Sequence, residues 1–317
     1  MSIVKFTPIC RERVWGGRRL SEVFGRELPA GKKIGETWEV VDRPEAQSLV
    51  TGGLLEGSSL RTLIETQTEW ILGPDWPRDQ PFPILVKWLD CAERLSLQVH
   101  PPAAAATQLG GEPKTENWYV AEAAPGAGLI AGLRSGVTEE AFEKALHSGN
   151  LEGLCHRFTS AVGDSLLVES GRIHAIDGGN LILEIQQNSD TTYRVFDWGR
   201  VGLDGQPREL HVKESMQCVD FDDFEPEPFR TDPRAAEQVI AECDHFRIRK
   251  FEWEEGRSAD LSPSDVDAGL MHILYGHLVF GQTVLKAGDS CLFPFAEDCH
   301  GTALSKTTFL LTDHFIG

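Results

Sequence analysis

The chain lacks several features that mark other classes of protein. Its 317 residues include 30 Lys and Arg against 49 Asp and Glu, so there is no excess of positive charge. Nucleic acids and anionic membrane surfaces both require such an excess. No stretch approaches the roughly 20 apolar residues of a membrane span, and the first residues contain no apolar core of signal-peptide length. We therefore expect a cytoplasmic protein that binds neither nucleic acid nor membrane.

Cysteine pairs of the CxxC type are absent as well. The seven cysteines are spread from Cys10 to Cys299, and their number is odd. We interpret them as reduced thiols of a reducing compartment, each a small and mostly apolar side chain in the core.

What the chain does have is a succession of short strand patterns separated by Gly and Pro turns. We predict strands over 36–41, 84–89, 118–120, 181–185 and 193–196. This pattern is typical of an all-β sandwich or barrel.

Helical patterns are fewer. We predict helices over 60–72, capped by Ser58 or Ser59, over 139–147, capped by Thr138, and over 151–158. The region around 137–158 is thus predicted to be a small helical insertion on a β scaffold.

The composition changes at 220–237, which is acidic and contains several prolines. We place a domain boundary there, between a catalytic domain (1–225) and a C-terminal β domain that lacks metal ligands (226–317). A faint repeat favours two related domains, because Gly163–His174 and Gly288–Cys299 both fit a loose pattern of cupin barrels, each with mismatches. The prediction is an all-β dominated fold of two cupin-type β-barrels, or jelly rolls, the second without its ligand.

A candidate metal site begins in the segment 94–102. Apolar residues at 95, 97 and 99 alternate with Ser96, Gln98 and His100, which predicts a strand with one apolar and one polar face. Glu116 and His174 would add a carboxylate and a second imidazole. Two nitrogens, a carboxylate and an amide oxygen form a plausible zinc shell with room for substrate.

Two of these residues also have simpler interpretations. Lys114, Glu116 and Trp118 share one face of an extended segment, so Lys114 would reach the same site, but the Lys and Glu could equally form a solvated surface pair. His174 lies between apolar neighbours, where a histidine is often only a buried residue with satisfied hydrogen bonds.

The densest polar run is 184–200. On strand parity, Glu184 and Gln186 face away from the apolar residues between them. Arg194 lies within a partly apolar strand, where it must be paired or positioned for an anion. A structural ion pair with Asp190 or Asp197 is the alternative.

Taken together, these segments resemble type I mannose-6-phosphate isomerase (phosphomannose isomerase) in its short bacterial form. The resemblance covers about residues 10–220, and the tail is similar only in length and β character. The motifs that carry it are Glu12-Arg-Val-Trp-Gly-Gly17, Ile34-Gly-Glu-Thr-Trp38, Pro83-Ile-Leu-Val-Lys-Trp-Leu89, Leu95-Ser-Leu-Gln-Val-His-Pro101, Lys114-Thr-Glu-Asn-Trp-Tyr119, Gly171-Arg-Ile-His-Ala175 and the run from Glu184 to Arg200.

The resemblance implies a zinc-dependent cupin enzyme that interconverts mannose 6-phosphate and fructose 6-phosphate, with one zinc per chain. It implies that the zinc ligands are Gln98, His100, Glu116 and His174, that Arg194 is the catalytic arginine, and that Ser96, Lys114 and Glu184 lie in the substrate pocket.

Such an isomerisation passes a proton between C1 and C2 through a cis-enediol. Arg194 would stabilise the enediolate. The base is either Lys114, with its pKa lowered beside a cation, or Glu184.

Two other hypotheses stay open, namely another metal-dependent cupin enzyme (an Fe(II) oxygenase or an isomerase of another sugar) and a non-catalytic sugar-binding cupin. Monomer and homodimer are not distinguished.

Overall fold

The chain folds into two compact units, each of which draws on more than one segment of the sequence. The computed structural model describes residues 3–262 and 268–315. The first unit comprises Met1–Ile9, Trp38–Lys87 and Arg230–Gly317, and the second comprises Cys10–Thr37 and Trp88–Phe229. The first unit therefore takes two segments from the region predicted as the catalytic domain (1–225). That 1–225 and 226–317 are separate domains stays a prediction.

Strands make up most of the regular structure in the described residues, which confirms the predicted strand-dominated fold. The strands are β1 Val4–Lys5, β2 Ile9–Gly17, β3 Ile34–Val40, β4 Asp42–Arg43, β5 Ala46–Gln47, β6 Ile84–Cys91, β7 Leu97–Val99, β8 Glu116–Ala123, β9 Gly128–Leu133, β10 Cys155–Thr159, β11 Asp164–Val168, β12 His174–Ile176, β13 Asn180–Gln187, β14 Tyr193–Phe196, β15 Phe229–Arg230, β16 Glu237–Cys243, β17 Phe246–Trp253, β18 Ser258–Asp260, β19 Gly269–Tyr275, β20 His277–Phe280, β21 Thr283–Lys286, β22 Ser290–Phe293, β23 His300–Ala303 and β24 Thr307–Asp313. The helices are α1 Arg19–Phe24, α2 Leu60–Ile71, α3 Ala103–Ala106, α4 Glu139–Ser148 and α5 Val212–Cys218, with a short 3-10 helix at Glu152–Leu154.

Two sheets position the candidate site within the second unit. One has five strands in the order β10-β9-β12-β7-β14. The other has seven strands in the order β15-β11-β8-β13-β6-β3-β2, of which β8, β11 and β13 lie wholly in this unit. A single apolar cluster draws Trp118 and Ile182 from the second sheet and Leu129, Ala131 and Ile176 from the first. The inner faces of the two sheets therefore pack against each other.

The outer face of the five-stranded sheet has its own core. Leu97 and Val99 are fully buried there, in a cluster that includes Phe142 of α4 and Leu151. The predicted alternation around Gln98 is thus present, because the two residues beside it face outward. The regular strand covers only Leu97–Val99, which is shorter than the predicted segment 94–102.

The two longer predicted helices are confirmed, and their ends follow from local capping. Ser59 Oγ accepts a hydrogen bond from the Thr62 amide at the start of α2, and Thr138 Oγ1 does the same for Ala141 in α4. Gly149 ends α4 with φ +69°, a left-handed conformation that favours glycine.

The third predicted helix, over 151–158, is wrong. Only Glu152–Leu154 forms a 3-10 turn, and Cys155–Thr159 is strand β10. Phe158 pairs with Leu129 of β9, so hydrogen bonding across the sheet decides the conformation of this segment over local helical preference.

The first unit is built on a six-stranded sheet, β1-β22-β19-β24-β17-β16, and a four-stranded sheet, β18-β23-β20-β21. Buried residues of both, including Phe280, Phe293 and Phe309, form one apolar core. That each unit closes into a cupin-type barrel stays a prediction. No helix in the described part of the chain has the length and apolar character needed to cross a bilayer.

Candidate metal centre

The register of three strands gathers polar residues on the inner face of the five-stranded sheet. Gln98 of β7 lies directly opposite His174 of β12 on one side and Arg194 of β14 on the other. Residues directly opposite each other in antiparallel strands project to the same face. The structure therefore places Gln98, His174 and Arg194 on one face.

The seven-stranded sheet contributes a second polar set. Glu116 of β8 lies opposite Gln186 of β13, and Trp118 lies opposite Glu184. The indole Nε1 of Trp118 donates a 3.1 Å hydrogen bond to Glu184 Oε2. Because Trp118 belongs to the core between the two sheets, these side chains face inward as well.

Three of the predicted ligands meet in the centre. Glu116 Oε2 lies 3.3 Å from His100 Nε2, and Glu116 Oε1 lies 3.6 Å from His174 Nε2. All three residues are fully buried, and their ligand atoms lie within 4.8 Å of one another. The interpretation of His174 as a merely structural histidine is therefore not favoured.

Backbone carbonyls fix the orientation of both imidazoles. His100 Nδ1 lies 2.9 Å from the carbonyl oxygen of Thr191, and His174 Nδ1 lies 2.8 Å from that of Arg172. A carbonyl oxygen can only accept, so each Nδ1 carries the hydrogen and each Nε2 presents a lone pair. Both Nε2 atoms are thus prepared to bind a cation.

Burial keeps these histidines neutral. It lowers the pKa of His100 to about 3 and that of His174 to about 4, even though Glu116 acts in the opposite direction on both. Burial also raises the pKa of Glu116, but Lys114, His100 and His174 together outweigh it, and the net pKa lies well below its usual range. The site thus offers two neutral nitrogens and one carboxylate at neutral pH.

Lys114 is buried beside the ligands rather than solvated. Its Nζ lies 2.6 Å from Glu116 Oε2 and 4.0 Å from Glu184 Oε1. Burial lowers the pKa of Lys114. The two carboxylates together raise it by more than burial lowers it, so the net pKa lies above its ordinary value. The predicted lowering of this pKa assumed a cation beside Lys114, and for a metal-bound site it stays a prediction.

The donor set fits a metal ion. His100 Nε2, His174 Nε2 and Glu116 Oε1 are buried and make no hydrogen bond among the described residues. Buried polar atoms without partners are costly, and three that converge on one point have a common explanation in a bound cation. Gln98 as a fourth ligand stays a prediction, which its position opposite His174 supports.

Arg194 makes no ion pair with Asp190 or Asp197 in the described structure. Its Nη1 donates to the carbonyl oxygen of Glu209, and its Nε is buried without a partner. Asp197 is instead bound by Arg200 and Arg208. The alternative of a structural ion pair is therefore not supported, and the role of Arg194 toward an anion stays a prediction.

Some contributors were not foreseen from the sequence. The carbonyl groups of Thr191 and Arg172 that hold the imidazoles belong to the backbone, which no residue pattern reveals. Ser96 is buried directly before β7, and its place in the substrate pocket stays a prediction.

Comparison with known proteins agrees with this geometry. The family model "Phosphomannose isomerase type I, catalytic domain" matches residues 3–126. The mannose-6-phosphate isomerase ManA of Bacillus subtilis is 33% identical over 300 residues, which cover 92% of each chain. The chain is a member of the type I phosphomannose isomerase family.

Other members show the same relationship. The mannose-6-phosphate isomerase of Streptococcus mutans is 38% identical over 209 residues, 66% of this chain and 65% of that one. The crystal structure of the mannose 6-phosphate isomerase from Bacillus subtilis superposes with a TM-score of 0.88 at 28% identity, over 99% of this chain and 100% of that chain. Membership of this family of isomerases favours an isomerase over an oxygenase or a non-catalytic sugar-binding protein.

Proposed function

We propose that the protein is a zinc-dependent isomerase that interconverts mannose 6-phosphate and fructose 6-phosphate through a cis-enediol. The observation that carries this proposal is the buried cluster of His100, Glu116 and His174, with the Lys114 ammonium 2.6 Å from the carboxylate. Membership of the family supports the choice of substrate, and the cluster supports a metal-dependent reaction.

The metal would be held by His100, His174 and Glu116, with Gln98 as the fourth ligand. Imidazole nitrogens and one carboxylate suit zinc, and such a set leaves the ion a net positive charge. When bound, the ion supplies Lewis-acid polarisation of the sugar oxygens.

Proton transfer is assigned to the pair of Lys114 and Glu184. Both are buried, and Lys114 Nζ lies 4.0 Å from Glu184 Oε1, so a proton can be held at either group. Trp118 fixes the Glu184 carboxylate from the other side. Lys114 is the base if a bound cation lowers its pKa, and Glu184 is the base if Lys114 stays protonated.

Arg194 would stabilise the negative charge that develops on the enediolate. It faces inward opposite Gln98, and its buried Nε has no partner among the described residues. A donor that is already in place where charge develops contributes strongly to catalysis.

The phosphate end would meet the arginine group around Asp197. Arg200 and Arg208 both bind that one carboxylate, so these three groups carry an excess of positive charge. Burial lowers the pKa of Arg200, and the charge of Arg208 also lowers it, against the opposite effect of Asp197. A phosphate dianion would relieve that excess.

A coupled assay that follows fructose 6-phosphate tests the proposal. Purified protein should convert mannose 6-phosphate, lose activity when a chelator removes its metal, and regain it with zinc. Free mannose should be a much poorer substrate, because it leaves the arginine group without its anion. Activity that is indifferent to chelator would contradict the zinc proposal, and no activity on mannose 6-phosphate would contradict the assigned reaction.

A further inference from the structure

Gln186 lies at the candidate metal centre, yet the proposed mechanism gives it no role. It belongs to β13 and lies directly opposite Glu116 of β8, so both side chains project to the same inner face. Glu184 precedes it by two residues on that strand and shares the face. Gln186 is fully buried, so its amide cannot reach bulk water.

The orientation of the Gln186 amide is fixed by its nitrogen. Nε2 donates hydrogen bonds to the carbonyl oxygens of Gln187, at 2.8 Å, and of Ser189, at 2.5 Å. Both acceptors are carbonyls, so the nitrogen must lie on that side and the amide cannot be flipped. Oε1 is thereby turned away from the 187–189 turn.

Oε1 itself makes no hydrogen bond among the described residues, although it is buried. The other side chains on this face do not donate a hydrogen bond to it. The Glu116 carboxylate and the Nε2 lone pair of His174 are acceptors, and Lys114 is bound to Glu116 at 2.6 Å. None of the described residues thus supplies the donor that Gln186 Oε1 lacks.

A second buried amide on the same strand shows that this arrangement is not general. Asn180 Nδ2 also donates to two backbone carbonyls, those of Gly128 and Asp177. Its Oδ1, however, accepts a 2.7 Å hydrogen bond from Ser160 Oγ. Both polar atoms of the Asn180 amide therefore have hydrogen-bond partners within the protein, whereas Gln186 Oε1 has none among the described residues.

We propose that Gln186 Oε1 accepts a hydrogen bond from a hydroxyl group of the bound sugar, which makes Gln186 a substrate-binding residue of this site. The inference rests on the proposed function, because a sugar phosphate brings hydroxyl donors next to the metal ligands. It adds an acceptor to a pocket whose other assigned substrate contacts are mainly cations and a carboxylate. Such an acceptor selects for the presence and direction of one hydroxyl group.

Steady-state kinetics of the zinc-loaded enzyme test this, with Gln186→Met as the variant and Asn180→Leu as the matched control. Loss of one hydrogen bond to a neutral hydroxyl should lower kcat/KM for mannose 6-phosphate by about 5- to 10-fold in Gln186→Met. Zinc content should stay at the wild-type level. Asn180→Leu should lower the melting temperature and leave kcat/KM unchanged.

Substrate analogues that lack one hydroxyl group give a readout that a purely structural role would not move. The analogues must keep the reacting oxygens on C1 and C2, so they lack the hydroxyl group at C3, C4 or C5. The wild type should discriminate against one of these three analogues of mannose 6-phosphate, and Gln186→Met should lose that discrimination. Since the wild-type half of this measurement needs no variant, it stays decisive even if Gln186→Met does not fold. A wild type that accepts the C3-, C4- and C5-deoxy analogues equally overturns the inference.

Two further outcomes also overturn it. One is a Gln186→Met enzyme with wild-type kcat/KM. The other is a variant that loses zinc but recovers wild-type kcat/KM when zinc is saturating, which would mean that the amide supports the metal and not the sugar. A wild type inactive on mannose 6-phosphate overturns the proposed function instead, so the two failures are distinguishable.

Discussion

Two segments of the molecule, Gly163–His174 in the second unit and Gly288–Cys299 in the first, share a local design and differ in what they carry. Each begins with a glycine at positive φ, +93° for Gly163 and +87° for Gly288, and the next residue starts or precedes a strand, β11 or β22. In each, the aspartate after the glycine donates its amide hydrogen to the carbonyl three residues earlier.

The difference lies at the end of each segment. His174 faces Glu116 and has its Nδ1 fixed by a carbonyl, whereas Cys299 lies in an apolar core with Phe280 and Phe293. Burial raises the pKa of the Cys299 thiol to about 12, so it stays protonated and is a poor metal ligand. A shared turn therefore does not make a site, because a ligand also needs a carboxylate and an oriented partner around it.

The largest expected effect comes from the pair His174→Ala and Cys299→Ala. Loss of His174 removes an imidazole ligand, so we expect zinc to be lost and kcat/KM to fall by more than about 1000-fold, since metal polarisation contributes several kcal/mol. Cys299→Ala should keep wild-type zinc content and activity. Metal analysis and the coupled assay measure both, and a loss of zinc in the cysteine variant would contradict the contrast.

The next largest effect is expected for Arg194→Ala. This variant tests whether catalysis also depends on a strand beside the segment that carries His174. We expect kcat to fall by about 100- to 1000-fold with zinc content unchanged, because a charge-stabilising donor is removed while the ligands remain. Kinetics and metal analysis on one preparation test this. Loss of zinc along with activity would instead assign Arg194 a structural role.

A smaller effect is expected on stability at acid pH, where buried neutral histidines in both units should destabilise the fold. Burial lowers the pKa of His272, in the first unit, to about 3, as it lowers those of His100 and His174 in the second. Below about pH 6.5 the unfolded chain binds a proton that the folded histidine does not, so stability falls with pH until the folded pKa is reached, by about 1.4 kcal/mol per pH unit for each group.

In the metal-free protein, the variant His272→Leu should therefore lose less unfolding free energy per pH unit than the wild type, because one fewer proton is taken up on unfolding. Urea unfolding at several pH values between 7 and 4 measures the slope. An unchanged slope would show that His272 titrates alike in the folded and unfolded chain.

The smallest expected effect compares two buried tryptophans. Trp118 Nε1 donates to Glu184, whereas Trp253 Nε1, in the first unit, has no hydrogen-bond partner among the described residues. Trp118→Phe should cost about 1 kcal/mol more than Trp253→Phe for the lost bond, and it alone should alter kcat/KM. Thermal unfolding and kinetics of both variants test this, and equal effects on activity would contradict the role given to Trp118.

Local sequence patterns predict several parts of the fold and of the candidate site. Alternation of apolar and polar residues predicts strand Tyr193–Phe196 to the residue, and caps such as Thr138 and Gly149 mark the ends of α4. Residue type and spacing make His100, Glu116 and His174 candidates, the resemblance implies that they are ligands, and the structure brings the three together.

What the sequence did not predict depends on long-range pairing. The segment 155–159 has helical character by itself, but its pairing with β9 makes it a strand. Parity groups Gln186 with Glu184, yet only the register between β8 and β13 sets Gln186 opposite Glu116. The ring orientation of His100 depends on the carbonyl of Thr191, 91 residues away in the chain.

The carbonyl groups that hold the two imidazoles have a consequence for metal loading. Both histidines are already neutral and already present Nε2, so a cation that binds there displaces no proton from either ring above about pH 5. We expect the two histidines to add almost no pH dependence to metal binding from neutral to mildly acidic conditions, where solvent-exposed histidine sites release their ions. The protein would keep its cation through a drop in the pH around it.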